Sequence, residues 1–157
     1  MAKRRVRAKA PPRRSPDRRF TVDASVFVNA FNPHETGHAA SLEILSVIQR
    51  RGDPIIVPTL LVTEVASAVA RASDDTAGSL DYSEAITGLP HLTLVTLTPA
   101  IARQAADLAA AHRLRGADAI YVAVALRYGT VLVTRDGEQR ARGMGAVNCR
   151  TPEEALA

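Results

Sequence analysis

The sequence predicts a three-layer α/β/α sandwich with a mostly parallel central sheet. Short β-branched apolar runs alternate with longer stretches whose apolar residues recur at three- and four-residue intervals, and Gly, Pro and Asp punctuate the joins. Hydrophobic residues make up 46% of the 157 residues but aromatics only 4%. The core must therefore come from Ala, Val and Leu, which suits helices packed closely on a sheet, and one domain of this length buries enough surface without disulfide or metal support.

The elements follow in order. Residues 20–22 form a short strand ending at Asp23, after which Ser25 opens a turn or helix that Val26, Phe27 and Val28 pack inward. Asn32-Pro33 interrupts it, and residues 37–50 resume an amphipathic helix with Ala40, Ile44, Leu45 and Ile48 on the buried side. Gly52-Asp53-Pro54 separates that helix from a strand at 55–57. Pro58-Thr59 starts the next helix, because proline suits a first turn and threonine can cap it. Leu61, Val65, Ala68 and Val69 line its apolar face, with Glu64 in their midst.

After the polar break at Ser73-Asp74-Asp75, the pattern predicts a helix over 76–87 and a strand over 92–95. Thr98-Pro99 opens a long helix to about Leu114, with Ile101, Ala105, Leu108 and Ala109 apolar. Gly116 breaks it, and a further helix begins near Asp118 and runs through Ile120, Val124 and Leu126 to Tyr128-Gly129. Residues 130–133 form a strong strand, and Ala146-Val147 a short final one. The chain thus divides into a basic extension at 1–19, a folded domain at 20–149 and a short C-terminal tail at 150–157.

The formal charge of +4 conceals an asymmetry. Residues 1–19 hold nine basic residues against Asp17, so the remainder is net −4 and has no lysine. The extension reads either as an arm for RNA phosphates or as a disordered solubilising segment, and Pro11, Pro12 and Pro16 oppose a continuous helix there. The single Cys149 excludes an internal disulfide and a cysteine zinc cluster, in keeping with a reducing cytoplasm. No apolar stretch is long enough to cross a membrane, and no long hydrophobic signal region follows the basic start, so no membrane association is expected.

Four acidic residues follow or interrupt apolar runs: Asp23, Glu64, Asp118 and Asp136. Each alone has an ordinary explanation, as a turn former, a polar helix position or a helix cap. Together they suggest a pocket outside the carboxyl ends of parallel strands, where ligands bind in such sheets. Carboxylates drawn together repel, and a hard divalent cation such as Mg2+ or Mn2+ reverses that balance. The chemistry this suits is phosphodiester hydrolysis without a covalent intermediate.

Ser25 and Thr134 are candidate supports, and Asn29 either steadies the first acidic segment or faces solvent. Arg113, Arg115, Arg135, Arg140 and Arg142 flank the acids and are candidate RNA-phosphate contacts. Rival phosphate chemistries lack their residues. Ser25 stands where a haloacid-dehalogenase-like phosphatase needs a second aspartate, no lysine follows Lys9 to serve a receiver domain, and no G-K-[ST] loop or dinucleotide fingerprint occurs. His34, His38, His91 and His112 do not form a metal-binding set.

Val22-Asp23-Ala24-Ser25, Thr63-Glu64-Val65, the run R-G-A-D-A-I-Y from Arg115 to Tyr121, and Thr134-Arg135-Asp136 stand in an order and spacing that resembles the PIN-domain nucleases. The likeness spans about residues 20–149 and is greatest to the VapC-like ribonuclease toxins of type II toxin–antitoxin systems. It implies a parallel-sheet sandwich and metal-dependent RNA cleavage, with Asp23, Glu64, Asp118 and Asp136 as the acidic site and Ser25 and Thr134 supporting it. It also implies a homodimer and a small cognate antitoxin that inserts residues near the site. The basic extension lies outside that family core. A noncatalytic RNA- or protein-binding scaffold and a structure-specific DNA nuclease are the alternatives.

Overall fold

A computed structural model describes residues 18–157. The extension expected at 1–19 therefore falls outside the described residues except for Arg18 and Arg19. Five strands form one all-parallel sheet in the order β3-β2-β1-β4-β5: β1 (Phe20–Val22), β2 (Ile55–Pro58), β3 (Leu92–Val95), β4 (Val131–Val133) and β5 (Cys149–Arg150). Eight helices flank it among the described residues: α1 (Ala24–Phe31), α2 (His38–Arg51), α3 (Leu60–Ser73), α4 (Thr76–Thr87), α5 (Pro99–His112), α6 (Gly116–Tyr128), α7 (Gly137–Gly143) and α8 (Pro152–Leu156). This is the predicted α/β sandwich.

Strands β1 and β4 are buried at every residue, which is why β4 reads as the unbroken apolar run Val-Leu-Val, while in β1 the buried Thr21 donates its hydroxyl to the Ile56 carbonyl. From β1 the chain moves outward through β2 to β3, then crosses back to β4 and continues to β5 on the other side. The order thus reverses between β1 and β4, and a parallel sheet opens a crevice at the carboxyl ends of such a pair. Asp23 follows β1 and Asp136 lies just beyond β4. Arg18 sits at the opposite end of β1, where its Nη2 lies 3.1 Å from Oδ1 of the buried Asp53.

Helix α6 packs against β1, β2 and β4. Ala119 and residues 121–125 are all fully buried, and their alanines and valines allow close approach to the sheet. Leu126, through which the helix was expected to run, lies within α6 and is 44% exposed. The α5–α6 break falls at Arg113, which adopts the left-handed conformation. Gly116, read as the breaker, is instead the first residue of α6, and this places Asp118 in its first turn.

The expected strand at Ala146-Val147 does not form. Both residues donate their backbone N–H to the Gly143 carbonyl, at 2.9 and 3.0 Å, closing the turn after α7. The last strand lies at Cys149–Arg150, where Leu132 pairs with Cys149 and Val133 with Arg150. Residues 150–157, expected as a tail, comprise the end of β5 and helix α8. Thr151 caps α8 in a reciprocal box with Glu154, and α8 packs on α2.

Candidate active site

The four acidic residues line one cavity of about 610 Å³, together with Ser25, Thr63, Ser67, Arg71 and Arg115. Asp23 continues the ladder beyond β1, its backbone N–H donating to the Val133 carbonyl at 2.9 Å. Its side chain also caps α1: Oδ2 accepts from the Ser25 backbone N–H at 2.9 Å, and Oδ1 from Gln139 Nε2 at 3.2 Å. Asp136 repeats the device after β4, with Oδ1 accepting from the backbone N–H of Glu138 and Gln139 at the start of α7. The turn expected at both residues is therefore a helix cap that fixes each carboxylate at the cavity wall, whereas Asp118, for which a cap was the alternative, lies inside the first turn of α6 behind Arg115.

Glu64 enters from α3, and its Oε2 accepts from the Tyr121 hydroxyl at 2.7 Å. Asp118 enters from the first turn of α6. Arg115, the residue preceding α6, spans the group: its Nε lies 3.3 Å from Asp118 Oδ2, and its Nη2 lies 2.8 Å from Asp136 Oδ2 and 3.3 Å from Glu138 Oε2.

The electrostatics show how crowded these acids are. Burial pushes the Asp23 carboxyl above its usual range against the opposing bonds from Ser25 and Gln139. Burial likewise raises Glu64, opposed by the Tyr121 bond and reinforced by Asp23 and Asp118. Asp118 is pushed up to about 6 by burial, with Arg115 opposing and Asp136, Asp23 and Glu138 reinforcing. The cluster is short of positive charge, and among the described residues Arg115 is the one cation paired with it.

The donor set, hard oxygens in an anionic pocket, fits a divalent cation. Among the described residues, however, no three His, Cys, Asp or Glu side chains stand ready to hold an ion. The guanidinium of Arg115 lies between Asp118 and Asp136, while Tyr121 holds Glu64 and Gln139 holds Asp23, so closing the group on an ion requires Arg115 to yield.

Ser25 lines the cavity, and its Oγ accepts from the Arg135 backbone N–H at 3.1 Å. Thr134 is fully buried behind it and accepts from the Asp136 N–H at 3.0 Å, shaping the turn that aims Asp136. Asn29 is buried away from the cavity. Its amide donates to Glu35 Oε2 and the Thr36 carbonyl, and its Oδ1 accepts from Ser41 Oγ at 2.8 Å, so it anchors the α1–α2 loop.

Of the five flanking arginines, the cavity takes in Arg115 alone. Arg135 pairs with Glu153, Arg140 with Glu154 and Arg142 with Glu138, while Arg113 terminates α5. The Arg135 guanidinium also lies over Gly37 at φ +84, a place where a Cβ would collide with it.

Sequence reasoning missed Tyr121, Gln139 and Arg71. Tyr121 carried a signal, since three residues after Asp118 on a helix is the same face. Gln139 carried none, because its partner Asp23 lies 116 positions away.

A family model described as the PIN domain matches residues 20–143. Among solved structures, the chain is similar to VapC20 of Mycobacterium tuberculosis, a sarcin–ricin-loop-cleaving toxin, at TM-score 0.68 and 18% identity over 83% of this chain and 98% of that one. It is also similar to PAE2754 of Pyrobaculum aerophilum, at TM-score 0.64 and 22% identity over 88% and 86% of the two chains. A further similar structure is VapBC2 of Rickettsia felis bound to a promoter DNA fragment, at TM-score 0.64 and 12% identity over 84% and 97%. At these identities the likeness is one of fold. No curated protein matches the chain.

Proposed function

Because this chain belongs to the PIN-domain family, we propose that it is a divalent-metal-dependent endoribonuclease, the toxin of a toxin–antitoxin pair. The observation that carries this reading is the convergence of Asp23, Glu64, Asp118 and Asp136, drawn from four separate elements, on one cavity at the point where the sheet order reverses. The toxin role draws on the fold neighbours, one a sarcin–ricin-loop-cleaving toxin and another a toxin–antitoxin complex from Klebsiella pneumoniae. A homodimer, a small antitoxin partner and a cytoplasmic setting belong to the same proposal.

Asp23, Glu64, Asp118 and Asp136 are the residues that would hold Mg2+ or Mn2+. Such an ion supplies Lewis-acid charge at phosphorus and lowers the pKa of water. The chain's own groups orient this chemistry. Ser25 and Gln139 fix the two oxygens of Asp23, Tyr121 fixes Glu64, and the Thr134 turn fixes Asp136. Arg115, released from Asp118 and Asp136, presents a planar cation to a phosphate oxygen. The reading is hydrolysis by direct attack of water, without a covalent intermediate.

The purified full chain, incubated with RNA and DNA of matched sequence in the presence of Mg2+, Mn2+ or chelator, is expected to cleave RNA internally and only with the ion. Cleavage of DNA alone would make it a DNA nuclease, and binding without cleavage would make it a scaffold. Tyr121→Phe removes the hydroxyl that orients Glu64 while leaving the ring in the core. It is expected to lower ion-dependent cleavage about tenfold, as loss of an outer partner of a metal-holding group does; an unchanged rate would show that the hydroxyl does not matter to Glu64.

A further inference from the structure

Two arginines line the acidic cavity, and they are differently placed. Arg115 is committed to Asp118, Asp136 and Glu138. Arg71 makes no ion pair among the described residues, and its Nη1 donates only to the Ser67 hydroxyl one turn back on α3. Glu64, Ser67 and Arg71 are spaced i, i+3 and i+7, so they share the face of α3 that forms the cavity wall. The Arg71 side chain folds back onto Ser67, the next residue of this face after Glu64, so its guanidinium stands on the cavity wall beside the carboxylates without forming an ion pair with them.

We propose that Arg71, with Ser67 beside it, is the seat for a phosphate next to the one being hydrolysed, so that single-stranded RNA runs from the acidic cluster along the cavity wall that α3 forms. The assignment rests on the nuclease reading and deepens it. Residues 20–157 are net −4, so at the cavity an anionic strand is favoured by a cation that is not already neutralised. Arg71 is that cation within the cavity. Its other use, a positive charge in the last turn of α3 favourable to the helix dipole, needs neither the cavity nor the Ser67 contact and adds little at an exposed position.

The test measures binding of a labelled single-stranded RNA to the full chain carrying Asp23→Asn, as a function of monovalent salt, with and without Arg71→Ala. Loss of one phosphate contact is expected to weaken binding about fivefold or more and to reduce the slope of log K against log salt by about 0.7, the single-strand value per phosphate. Arg71→Lys is expected to keep the slope. Arg127→Ala, on an exposed residue at the far end of α6, is expected to change neither quantity. In the chain with Asp23 intact, Arg71→Ala is expected to raise KM more than it lowers kcat.

An unchanged affinity and slope in Arg71→Ala, while the unmodified chain cleaves RNA, would overturn this assignment and leave the nuclease reading standing. A slope lost equally in Arg71→Lys, or a lower unfolding midpoint of Arg71→Ala with an unchanged slope, would overturn it too. Absence of RNA cleavage and binding in the unmodified chain would remove both.

Discussion

Asp23→Asn is expected to reduce ion-dependent RNA cleavage at least about 100-fold while leaving the fold intact. The substitution keeps the shape of the side chain and its place between β1 and α1, and asparagine caps helices as well as aspartate does. The Ser25 N–H retains its acceptor, and the Gln139 amide can turn over so that its Oε1 faces the new amide. What disappears is one negative charge at the point where β1 and β4 meet. Stability should not suffer. A carboxyl whose pKa is raised in the folded state contributes its stability below the unfolded pKa and loses it as pH rises through the folded one. At neutral pH Asp23 is on the costly side of that window, so the ion-free variant should melt no lower than the unmodified chain. Undiminished cleavage by a nuclease-free preparation would remove Asp23 from the site.

Arg115→Gln is expected to tighten divalent-ion binding by about fivefold or more, the usual size of coupling between neighbouring sites. Arg115 contacts three carboxylates within 3.3 Å and occupies the space between Asp118 and Asp136. An incoming cation must displace it, and glutamine offers no charge to displace. Cleavage at saturating ion should nevertheless fall, because the released arginine is the cation placed to meet the substrate phosphate. Titration calorimetry with Mn2+ separates the two effects. Weaker or unchanged ion affinity would mean that Arg115 supports the acidic cluster rather than competing for it.

Much of this architecture was legible because burial writes itself into composition. β4 is buried on both faces, so Val-Leu-Val within 130–133 stood out as an apolar run, 20–22 was legible from Phe20 and Val22 ahead of Asp23, and 92–95 matched β3 to the residue. The capped helix α5 announced its start through Thr98-Pro99, whereas Pro58 closes β2 and Thr59 precedes α3 without a side-chain cap. The final strand was misplaced because β5 pairs through backbone groups of Cys149 and Arg150, whose side chains carry no strand pattern, while apolar Ala146 and Val147 belong to a turn.

The acids of the site were legible for a different reason: a charge beside a buried run demands an explanation. The arginines were not, since the pairing of Arg135 with Glu153 and of Arg140 with Glu154 depends on the docking of α8. Asn29 was ambiguous for the same reason, its partners lying in the α1–α2 loop rather than at the site.

The account stands on four carboxylates acting together on one hard cation. Mn2+ titrated into the full chain, followed by calorimetry, tests this without reference to any substrate. Saturable binding to the unmodified chain, lost in Asp23→Asn and accompanied by a rise in unfolding midpoint that only the unmodified chain shows, is the predicted result. Binding that survives Asp23→Asn unchanged, or no binding at concentrations that support RNA cleavage, would contradict it.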